Sequence, residues 1–255
     1  MRIVVKVGTS TLAYASGRLN IRHIEDFCRV LSDLKNQGHE IIVVSSGAIG
    51  MGMGKLSLKK RPDDIPTRQA AAAVGQCELM YTYDKLFSEY NHTVAQLLIT
   101  NYVLNNNDMA ENFKNTLNRL LEMEVIPIIN ENDTVSTAEI GIGDNDTLGA
   151  IVTVLSGADM LVLLSDIDGL YTADPHKDKL ARLIPTVTEI TERMRAASGG
   201  AGSENGTGGM VTKLNAAQMC MAAGCDMIIA NGANPKVLYD IVDGDDIGTR
   251  FIGKR

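Results

Sequence analysis

Short apolar runs rich in Val and Ile alternate along this chain with longer segments in which apolar residues recur at helical spacing. The short runs are typical of buried strands, and the longer segments of helices. Strands are predicted at residues 3–7, 41–44, 94–99, 125–129, 160–164 and 227–230. Helices are predicted at residues 21–37, 67–89, 109–124, 147–155 and 210–223, with Asn20 as an N-cap and Gly38 and Gly224 as stops.

The alternation of strand, helix and strand predicts that the strands pair in parallel. Right-handed crossovers then place helices on both faces of the sheet. The predicted fold class is therefore α/β, a three-layer α/β/α sandwich around a mainly parallel sheet. Neither a linker nor an internal repeat interrupts the pattern, so we expect a single domain over residues 1–255.

Composition narrows the class of protein. The chain has 255 residues, of which 45% are hydrophobic and 22% charged, enough for one large core. A net charge of −7 without a basic tract argues against nucleic acid or an anionic membrane as a partner. No apolar run reaches the roughly 18 to 20 residues of a membrane span, and no signal-peptide pattern opens the chain. We therefore expect a cytoplasmic protein.

The cysteines and histidines predict no metal centre. Cys28, Cys77, Cys220 and Cys225 form no CxxC pair, and the histidines are scattered along the chain. Neither a zinc site nor a disulfide framework is therefore indicated. We expect all four cysteines to fill the core.

Polar residues follow the predicted strands at the points where the strands end. In open parallel sheets, ligands bind beyond the carboxyl ends of the strands. One polar turn alone is ordinary loop chemistry, but several turns that converge on one sheet edge predict a ligand site. These turns are Gly8-Thr9-Ser10, Ser45-Ser46-Gly47, Asn130-Glu131-Asn132-Asp133, Ser165-Asp166 and Asn231-Gly232.

Lys6 lies inside a predicted strand, at a position where an apolar residue is expected. Burial of an unpaired ammonium group is costly. Lys6 therefore either lies on an edge strand, where it discourages aggregation, or binds an anion. The following Gly8-Thr9-Ser10 favours an anion, because its backbone N–H groups and hydroxyls can meet phosphate oxygens beside the lysine.

Two glycine-rich stretches are candidate ligand loops. Residues 206–213 open the last predicted helix with free N–H groups and one lysine, which predicts a phosphate site. A Walker loop has Ser or Thr directly after Gly-Lys, whereas here Lys213 follows Thr212. Residues 46–54 lack the G-x-G-x-x-G spacing of a dinucleotide fingerprint, and we predict a flexible binding loop there.

An acidic segment at residues 130–146 is predicted to bind a cation. The candidates are a divalent metal and the ammonium group of an amino-acid substrate. The segment does not match the spacing of an EF-hand loop, so ammonium is favoured. Asp144 or Asn145 is also expected to cap the helix that follows. The irregular loop at residues 165–175 is a weaker candidate, for adenine and ribose.

Taken in order, six segments of the chain resemble the amino acid kinase family, and the resemblance covers nearly the whole chain. The segments are residues 5–10, 45–49, 130–133, 143–146, 169–175 and 206–213. The resemblance implies ATP-dependent phosphorylation of the side-chain carboxylate of L-glutamate, the first step of proline biosynthesis. It implies ATP with Mg²⁺ carried on the nucleotide phosphates, and no metal site made by the protein.

The resemblance also implies a role for each residue that matches a family motif. Lys6 and Lys213 would hold the transferring phosphoryl group, and Asp146 would orient the two lysines. The residues that would bind glutamate are Ser46, Asp133 and Asn145. The residues that would contact the nucleotide are Lys6, Ser165, Asp166, Thr207, Gly208, Gly209, Met210, Val211, Thr212 and Lys213.

The resemblance further implies feedback inhibition by proline and transfer of the product to a glutamyl phosphate reductase. Many similar members continue into a C-terminal PUA domain, and we expect the kinase domain to suffice for the chemistry without it. Apolar helix surface at residues 70–74 indicates a homo-oligomer.

Three alternative functions remain open at this point. The first is a sibling kinase that acts on aspartate, acetylglutamate, carbamate or UMP. The second is an NAD-dependent dehydrogenase, against which the glycine spacing argues. The third is a non-catalytic sensor of the same fold, against which the presence of both lysines argues.

Overall fold

A computed structural model describes residues 1–14, 18–104, 106–136, 144–175, 177–198 and 209–254. Within these residues, strands that form one sheet are β1 (Arg2–Val7), β2 (Glu40–Ser45), β3 (Val94–Ile99), β4 (Ile126–Glu131), β5 (Met160–Ser165), β6 (Thr186–Val187), β7 (Asp226–Asn231) and β8 (Thr249–Phe251). Their order across the sheet is β3-β4-β2-β1-β5-β7-β8-β6. All neighbours are parallel except β7 and β8, which are antiparallel.

Helices cover both faces of this sheet. In the described residues they are α1 (Thr9–Leu12), α2 (Ile21–Asn36), α3 (Ala48–Lys55), α4 (Ile65–Ser88), α5 (Asn101–Leu104), α6 (Asn107–Glu122), α7 (Asn145–Ser156), α8 (Glu192–Ala197), α9 (Met210–Ala222) and α10 (Val237–Asp243). Buried residues of α2, α4 and α10 form one hydrophobic cluster with the sheet, and those of α6, α7 and α9 form another. The three-layer α/β/α sandwich around a mainly parallel sheet is therefore confirmed.

The central strand β1 distributes its side chains between the two clusters. Ile3, Val5 and Val7 belong to the cluster with α2 and α4, whereas Val4 belongs to the cluster with α7 and α9. Because side chains alternate along a strand, Lys6 lies on the same face as Val4. A Cβ atom added to Gly149 of α7 would lie 3.6 Å from the Cβ of Lys6, which places the lysine stem directly against that helix.

The predicted strands and helices are confirmed, with ends that differ by one or two residues. The Asn20 side chain accepts a hydrogen bond from the backbone N–H of His23 at the start of α2. Gly38 and Gly224 have φ angles of +92° and +80°, as expected for glycines that end a helix. The alternative of Lys6 on an edge strand is wrong, because β1 pairs with β2 on one side and β5 on the other.

The flexible loop predicted at residues 46–54 is wrong, since Ala48–Lys55 form helix α3. Glycine disfavours an isolated helix, but here it allows α3 and α4 to approach with their backbones in contact. A Cβ atom added to Gly52 would lie 1.8 Å from the carbonyl oxygen of Ala71. One added to Gly75 would lie 1.7 Å from the carbonyl oxygen of Ala48. Tertiary packing therefore stabilises a helix that the local sequence does not predict.

Gly75→Ala is expected to lower the free energy of unfolding by about 2 kcal/mol, because the added methyl group forces α3 and α4 apart. Urea denaturation followed by circular dichroism measures the change. The matched control is Lys85→Arg, an exposed position of the same helix, which should leave stability unchanged within about 0.5 kcal/mol. Equal stability of Gly75→Ala and the control would contradict the close packing of the two helices.

Two further sequence predictions need correction. Cys28, Cys220 and Cys225 are buried as expected, but Cys77 is exposed on α4. The apolar surface predicted at residues 70–74 is interrupted, because Ala71 and Ala72 are buried. Among the helices of the described residues, none combines the length and apolar character that a membrane crossing requires.

Candidate active site

The carboxyl ends of the central strands bring the predicted polar turns together at one edge of the sheet. In the pairing register, Val7 of β1 lies beside Ser45 of β2 and Leu164 of β5, and Ser165 lies beside Asn231 of β7. The turns that follow these strands are therefore neighbours. Some predicted turn residues still belong to the strands, because β2, β4, β5 and β7 are longer than predicted.

Lys6, Asp146 and Lys213 form a buried ion-pair cluster beyond this edge. The Nζ atom of Lys6 lies 2.6 Å from Oδ1 of Asp146, and the Nζ atom of Lys213 lies 2.9 Å from Oδ2. The three side chains are 12%, 2% and 7% exposed, in the order Lys6, Asp146 and Lys213. The cluster carries a net charge of +1, which in a desolvated setting attracts an anion strongly.

Two helices position this cluster. Asp146 lies in the first turn of α7, which starts after Asp144, whose side chain accepts a hydrogen bond from the backbone N–H of Thr147 at 2.8 Å. The predicted capping role thus belongs to Asp144. Lys213 lies in the first turns of α9, which packs in the same hydrophobic cluster as α7. Burial alone raises the pKa of the Asp146 carboxyl, but the ammonium groups of Lys6 and Lys213 outweigh burial and hold that pKa below its usual value.

Three helices start with a glycine instead of a side-chain cap. Gly8, Gly47 and Gly209 precede α1, α3 and α9, and in the described residues no side chain caps these helix starts. By contrast, Asn or Asp side chains cap α2, α4, α6 and α7. Uncapped N–H groups bind anions well. A Cβ atom at Gly8 would lie 3.7 Å from the Lys6 Nζ atom, so glycine keeps the space next to the ammonium group open.

Asn145 and Ser46, both predicted as substrate ligands, are in direct contact. The Asn145 Nδ2 atom donates to Ser46 Oγ at 2.7 Å, to Asn130 Oδ1 at 3.0 Å and to the Ser45 carbonyl oxygen at 3.3 Å. Asn130 in turn donates to Oε1 of Gln76 at 3.0 Å. The sequence prediction gave no role to Asn130 or Gln76. Asn130 was detectable as part of the polar end of β4, whereas Gln76, in the middle of α4, carried no local signal.

Asp133 lies in the turn after β4, next to Glu131. Burial raises the pKa of Asp133 to about 6, the Glu131 carboxylate adds to the rise, and Arg61 opposes it. In the described residues, no hydrogen bond joins Asp133 to Ser46 or Asn145. The three predicted glutamate ligands therefore form one bonded pair and one separate carboxylate.

Besides Lys6 on β1, the predicted nucleotide residues that the structure describes are at the end of β5 and at the start of α9. The Ser165 hydroxyl donates to Asp166 at 3.2 Å, and Asp166 is exposed. At the start of α9, Met210 is half-buried, Val211 is 43% exposed, and the Thr212 hydroxyl donates to the carbonyl oxygen of Gly209 at 2.8 Å. Thr207 and Gly208 lie outside the described residues.

The loop after β5 is tied to the C-terminal strand by a residue that the sequence did not indicate. The Thr249 hydroxyl accepts from the backbone N–H of Leu170 at 2.8 Å and donates to the carbonyl oxygen of Ile184 at 2.6 Å. A bond to a different strand comes from Asn231 at the end of β7, which donates to Asp168 at 2.7 Å. These bonds hold the loop over the sheet edge next to Ser165.

Comparisons with known proteins agree with this geometry. A family model described as "Amino acid kinase family" matches residues 1–231. The glutamate 5-kinase of Clostridium perfringens is 54% identical over 258 aligned residues, which cover 100% of this chain and 96% of that protein. The glutamate 5-kinase of Listeria monocytogenes serovar 1/2a is 51% identical and covers 100% and 94%. The structure of carbamate kinase from Giardia lamblia bound to AMP-PNP has a TM-score of 0.71 at 16% identity, covers 99% and 98% of the two chains, and shows a shared fold.

Proposed function

The chain belongs to the amino acid kinase family, and we propose that it transfers the γ-phosphoryl group of ATP to the side-chain carboxylate of L-glutamate. The product would be γ-glutamyl phosphate, which makes the reaction the first step of proline biosynthesis. The observation that carries the proposal is the buried cluster of Lys6, Asp146 and Lys213 at the sheet edge. The relatives' name supports glutamate as the acceptor.

The chemistry requires charge neutralisation and no general base. The side chain of glutamate has a reference pKa of about 4.3, so the attacking carboxylate is already ionised at neutral pH. Attack of a carboxylate oxygen on the γ-phosphorus forms the acyl phosphate and releases ADP. Lys6 and Lys213 would stabilise the charge on the transferring phosphoryl oxygens, and Asp146 would hold both ammonium groups in place. The free backbone N–H groups at the starts of α1 and α9, which follow Gly8 and Gly209, would bind phosphate oxygens.

The acceptor amino acid would lie against the turns after β2 and β4. Its ammonium group would meet the Asp133 carboxylate and the Asn145 side-chain carbonyl, and Ser46 would complete the polar contacts. The free N–H groups at the start of α3, after Gly47, would suit a carboxylate of the substrate. The Asp133 carboxylate would attract an ammonium group, which an amino acid has and UMP lacks, and this supports glutamate over UMP.

The nucleotide would lie over β5 and the start of α9. Ser165, Asp166 and residues 209–213 would contact the base, ribose and phosphates, and the motif that contains residues 209–213 suggests the same role for Thr207 and Gly208. In the described residues, no three His, Cys, Asp or Glu side chains come together to hold a metal ion. We propose that Mg²⁺ is carried on the nucleotide phosphates, where it would neutralise their charge.

The proposal extends to the domain organisation, regulation and assembly of the protein. We propose one cytoplasmic kinase domain over residues 1–255, inhibition by proline, and a reductase that consumes the reactive acyl phosphate. An exposed stripe on α4, with Ala70, Ala73, Cys77 and Tyr81 at helical spacing, supports a homo-oligomer.

Hydroxamate formation tests the proposed function directly. Purified protein with ATP, Mg²⁺ and hydroxylamine should form γ-glutamyl hydroxamate in the presence of L-glutamate. Aspartate, acetylglutamate and carbamate should give at most a few per cent of that rate, and UMP should yield no UDP. A second arm with and without proline measures inhibition. ATP turnover that does not depend on glutamate, or a faster reaction with another acceptor, would contradict the proposal.

Asp133→Asn is expected to raise KM for glutamate by about tenfold or more, the effect of losing a hydrogen bond to a charged group, with KM for ATP nearly unchanged. Because burial raises the pKa of Asp133 to about 6, kcat/KM for glutamate should fall in the wild type as pH drops below 6. The asparagine variant should lack this pH dependence. Steady-state kinetics between pH 5 and 8 measure both effects.

Stability provides the control for this prediction. The folded-state pKa of Asp133 is raised from 3.8 to about 6, so the folded protein binds the extra proton and loses stability as pH rises through that window. Asp133→Asn should therefore be more stable than the wild type above pH 6 and equally stable below about pH 4. Asp63 is exposed, and Asp63→Asn should change neither KM for glutamate nor the stability of the protein. Equal rises of KM for glutamate and ATP would contradict the assignment of Asp133.

A further inference from the structure

The Asn145 amide group is held by three acceptors at the edge of the candidate site. Its Nδ2 atom contacts Ser46 Oγ, Asn130 Oδ1 and the Ser45 carbonyl oxygen, at distances from 2.7 to 3.3 Å. Its Oδ1 atom makes none of these contacts. Asn145 is half-buried and directly precedes Asp146, so this oxygen is placed to accept a hydrogen bond from a ligand.

Backbone groups fix the orientation of both asparagine amides. The oxygen and nitrogen of an amide side chain have nearly the same shape, so their partners decide which is which. The Ser45 carbonyl oxygen can only accept, which assigns the nitrogen of Asn145 to that position. The Glu131 backbone N–H can only donate, and it lies 2.9 Å from Asn130 Oδ1. Asn130 Oδ1 therefore accepts from both Glu131 and Asn145.

This assignment leaves the Asn130 Nδ2 atom in need of an acceptor. Asn130 is 2% exposed, and an unpaired buried donor is costly. Oε1 of Gln76 supplies the acceptor at 3.0 Å. A rotation of the Asn130 amide by 180° is no remedy, because its nitrogen would then face two other donors, the Glu131 N–H and Asn145 Nδ2. The acceptor on Gln76 thus completes a chain of hydrogen bonds that starts at two backbone groups.

Gln76 satisfies the buried Asn130 donor but leaves a donor of its own unmatched. The side chain is 7% exposed, and in the described part of the chain its Nε2 atom has no hydrogen-bond partner. An apolar side chain would remove this unmatched donor but would leave Asn130 Nδ2 without an acceptor, so what distinguishes the glutamine is that it fixes the Asn130 amide. Gly75, the preceding residue, brings α4 against the Ala48 carbonyl oxygen of α3. The helix that carries Gln76 is therefore held close to α3 at the neighbouring position.

We propose that Gln76 is a positioning residue: it orients the Asn130 amide and, through it, the Asn145 side-chain carbonyl that receives the ammonium group of the acceptor amino acid. The inference rests on the proposed function and adds a residue to it. Gln76 acts through Asn130 and Asn145, without contact to the substrate. Its loss should affect the amino-acid substrate and leave the nucleotide unaffected.

Gln76→Met tests this role, because methionine keeps the volume of glutamine and removes the acceptor. We expect KM for glutamate to rise about tenfold, with KM for ATP within about twofold and kcat within about threefold of the wild type. Gln76→Glu retains an acceptor oxygen at the same place and should keep KM for glutamate within about threefold. The hydroxamate assay gives all three parameters, and the melting temperature of each variant is recorded.

A double-mutant cycle separates positioning from a general packing effect. In an Asn145→Ala background, Gln76→Met should no longer change KM for glutamate, because the group that Gln76 positions is absent. Leu79→Met, one turn further along α4 and fully buried, is the matched packing control and should leave both KM values unchanged. If Gln76→Met yields too little folded protein, Gln76→Leu is measured in the same cycle with the same criteria.

The outcomes discriminate between this inference and the proposed function. The role of Gln76 would be overturned if Gln76→Met raised KM for glutamate tenfold both in the wild type and in the Asn145→Ala background. Equal rises of KM for glutamate and KM for ATP would also overturn it. If the wild type is active and Gln76→Met has the wild-type KM for glutamate, the role of Gln76 is also overturned. The proposed function would remain intact. A wild type that forms no glutamate-dependent hydroxamate would overturn the proposed function and this inference together.

Discussion

In the Lys213→Ala protein, kcat is expected to fall by about two to three orders of magnitude, the scale of losing one preorganised electrostatic stabiliser. The Lys213 ammonium group lies 2.9 Å from Asp146, and its side chain is 7% exposed, so its charge acts in a desolvated place. Without it, the charge on the transferring phosphoryl group faces one lysine instead of two. The hydroxamate assay at saturating glutamate and ATP measures the loss.

Two further substitutions show whether charge is the cause. Lys213→Met keeps most of the aliphatic stem and should lose activity to a similar extent, because packing is preserved and only the charge is absent. Lys236→Ala removes an exposed lysine at the start of α10 and should leave kcat unchanged. Near-normal turnover of Lys213→Ala would remove Lys213 from the mechanism.

Asp146→Asn is expected to lower the free energy of unfolding by about 3 to 5 kcal/mol at neutral pH, the cost of removing one partner from a buried ion pair. The asparagine keeps the shape of the side chain but leaves the ammonium groups of Lys6 and Lys213 without the carboxylate that they share. We also expect kcat to fall by at least about 100-fold, because both lysines lose their orientation. Urea denaturation and the hydroxamate assay measure the two effects.

The difference in stability between the wild type and Asp146→Asn should become smaller as the pH falls. The pKa of Asp146 is lowered in the folded state by Lys6 and Lys213, against the effect of burial. Its contribution to stability is therefore present above the unfolded-state pKa and lost as pH falls through the folded-state pKa. The difference in free energy of unfolding between the wild type and Asp146→Asn should therefore be largest at pH 7 and decrease at acid pH. A difference of similar size at all pH values would indicate that packing, not charge, causes the loss.

The sheet could be predicted from the sequence because its central strands are short, apolar and buried on both faces. The segments that were missed are held by contacts from elsewhere in the fold. The glycines of α3 predict a loop. The segment is nevertheless helical, because Gly52 allows it to lie against Ala71 of α4. The short β6 and β8 have too few apolar residues for a local signal, and β8 is fixed partly through the Thr249 hydroxyl.

The candidate site was predictable to the extent that its residues follow strands or start helices. Lys6 was conspicuous as a charge within an apolar strand, and the alternation of side chains places it on the face of α7. Its pairing with Asp146 joins positions 140 residues apart, which the family motifs suggested and local patterns do not. Gln76 escaped prediction because a single polar residue in a helix is normally exposed, whereas here the side chain is 7% exposed and bonded to Asn130.

The central claim is that a carboxylate oxygen of glutamate attacks the γ-phosphorus of ATP between Lys6 and Lys213. Glutamate labelled with ¹⁸O in its side-chain carboxylate tests this most directly. Hydroxylamine attacks the acyl carbon of the product, so the released phosphate should carry one ¹⁸O atom per hydroxamate formed, as seen by mass spectrometry. Phosphate that contains only ¹⁶O would show that water or another acceptor receives the phosphoryl group, and would contradict the account.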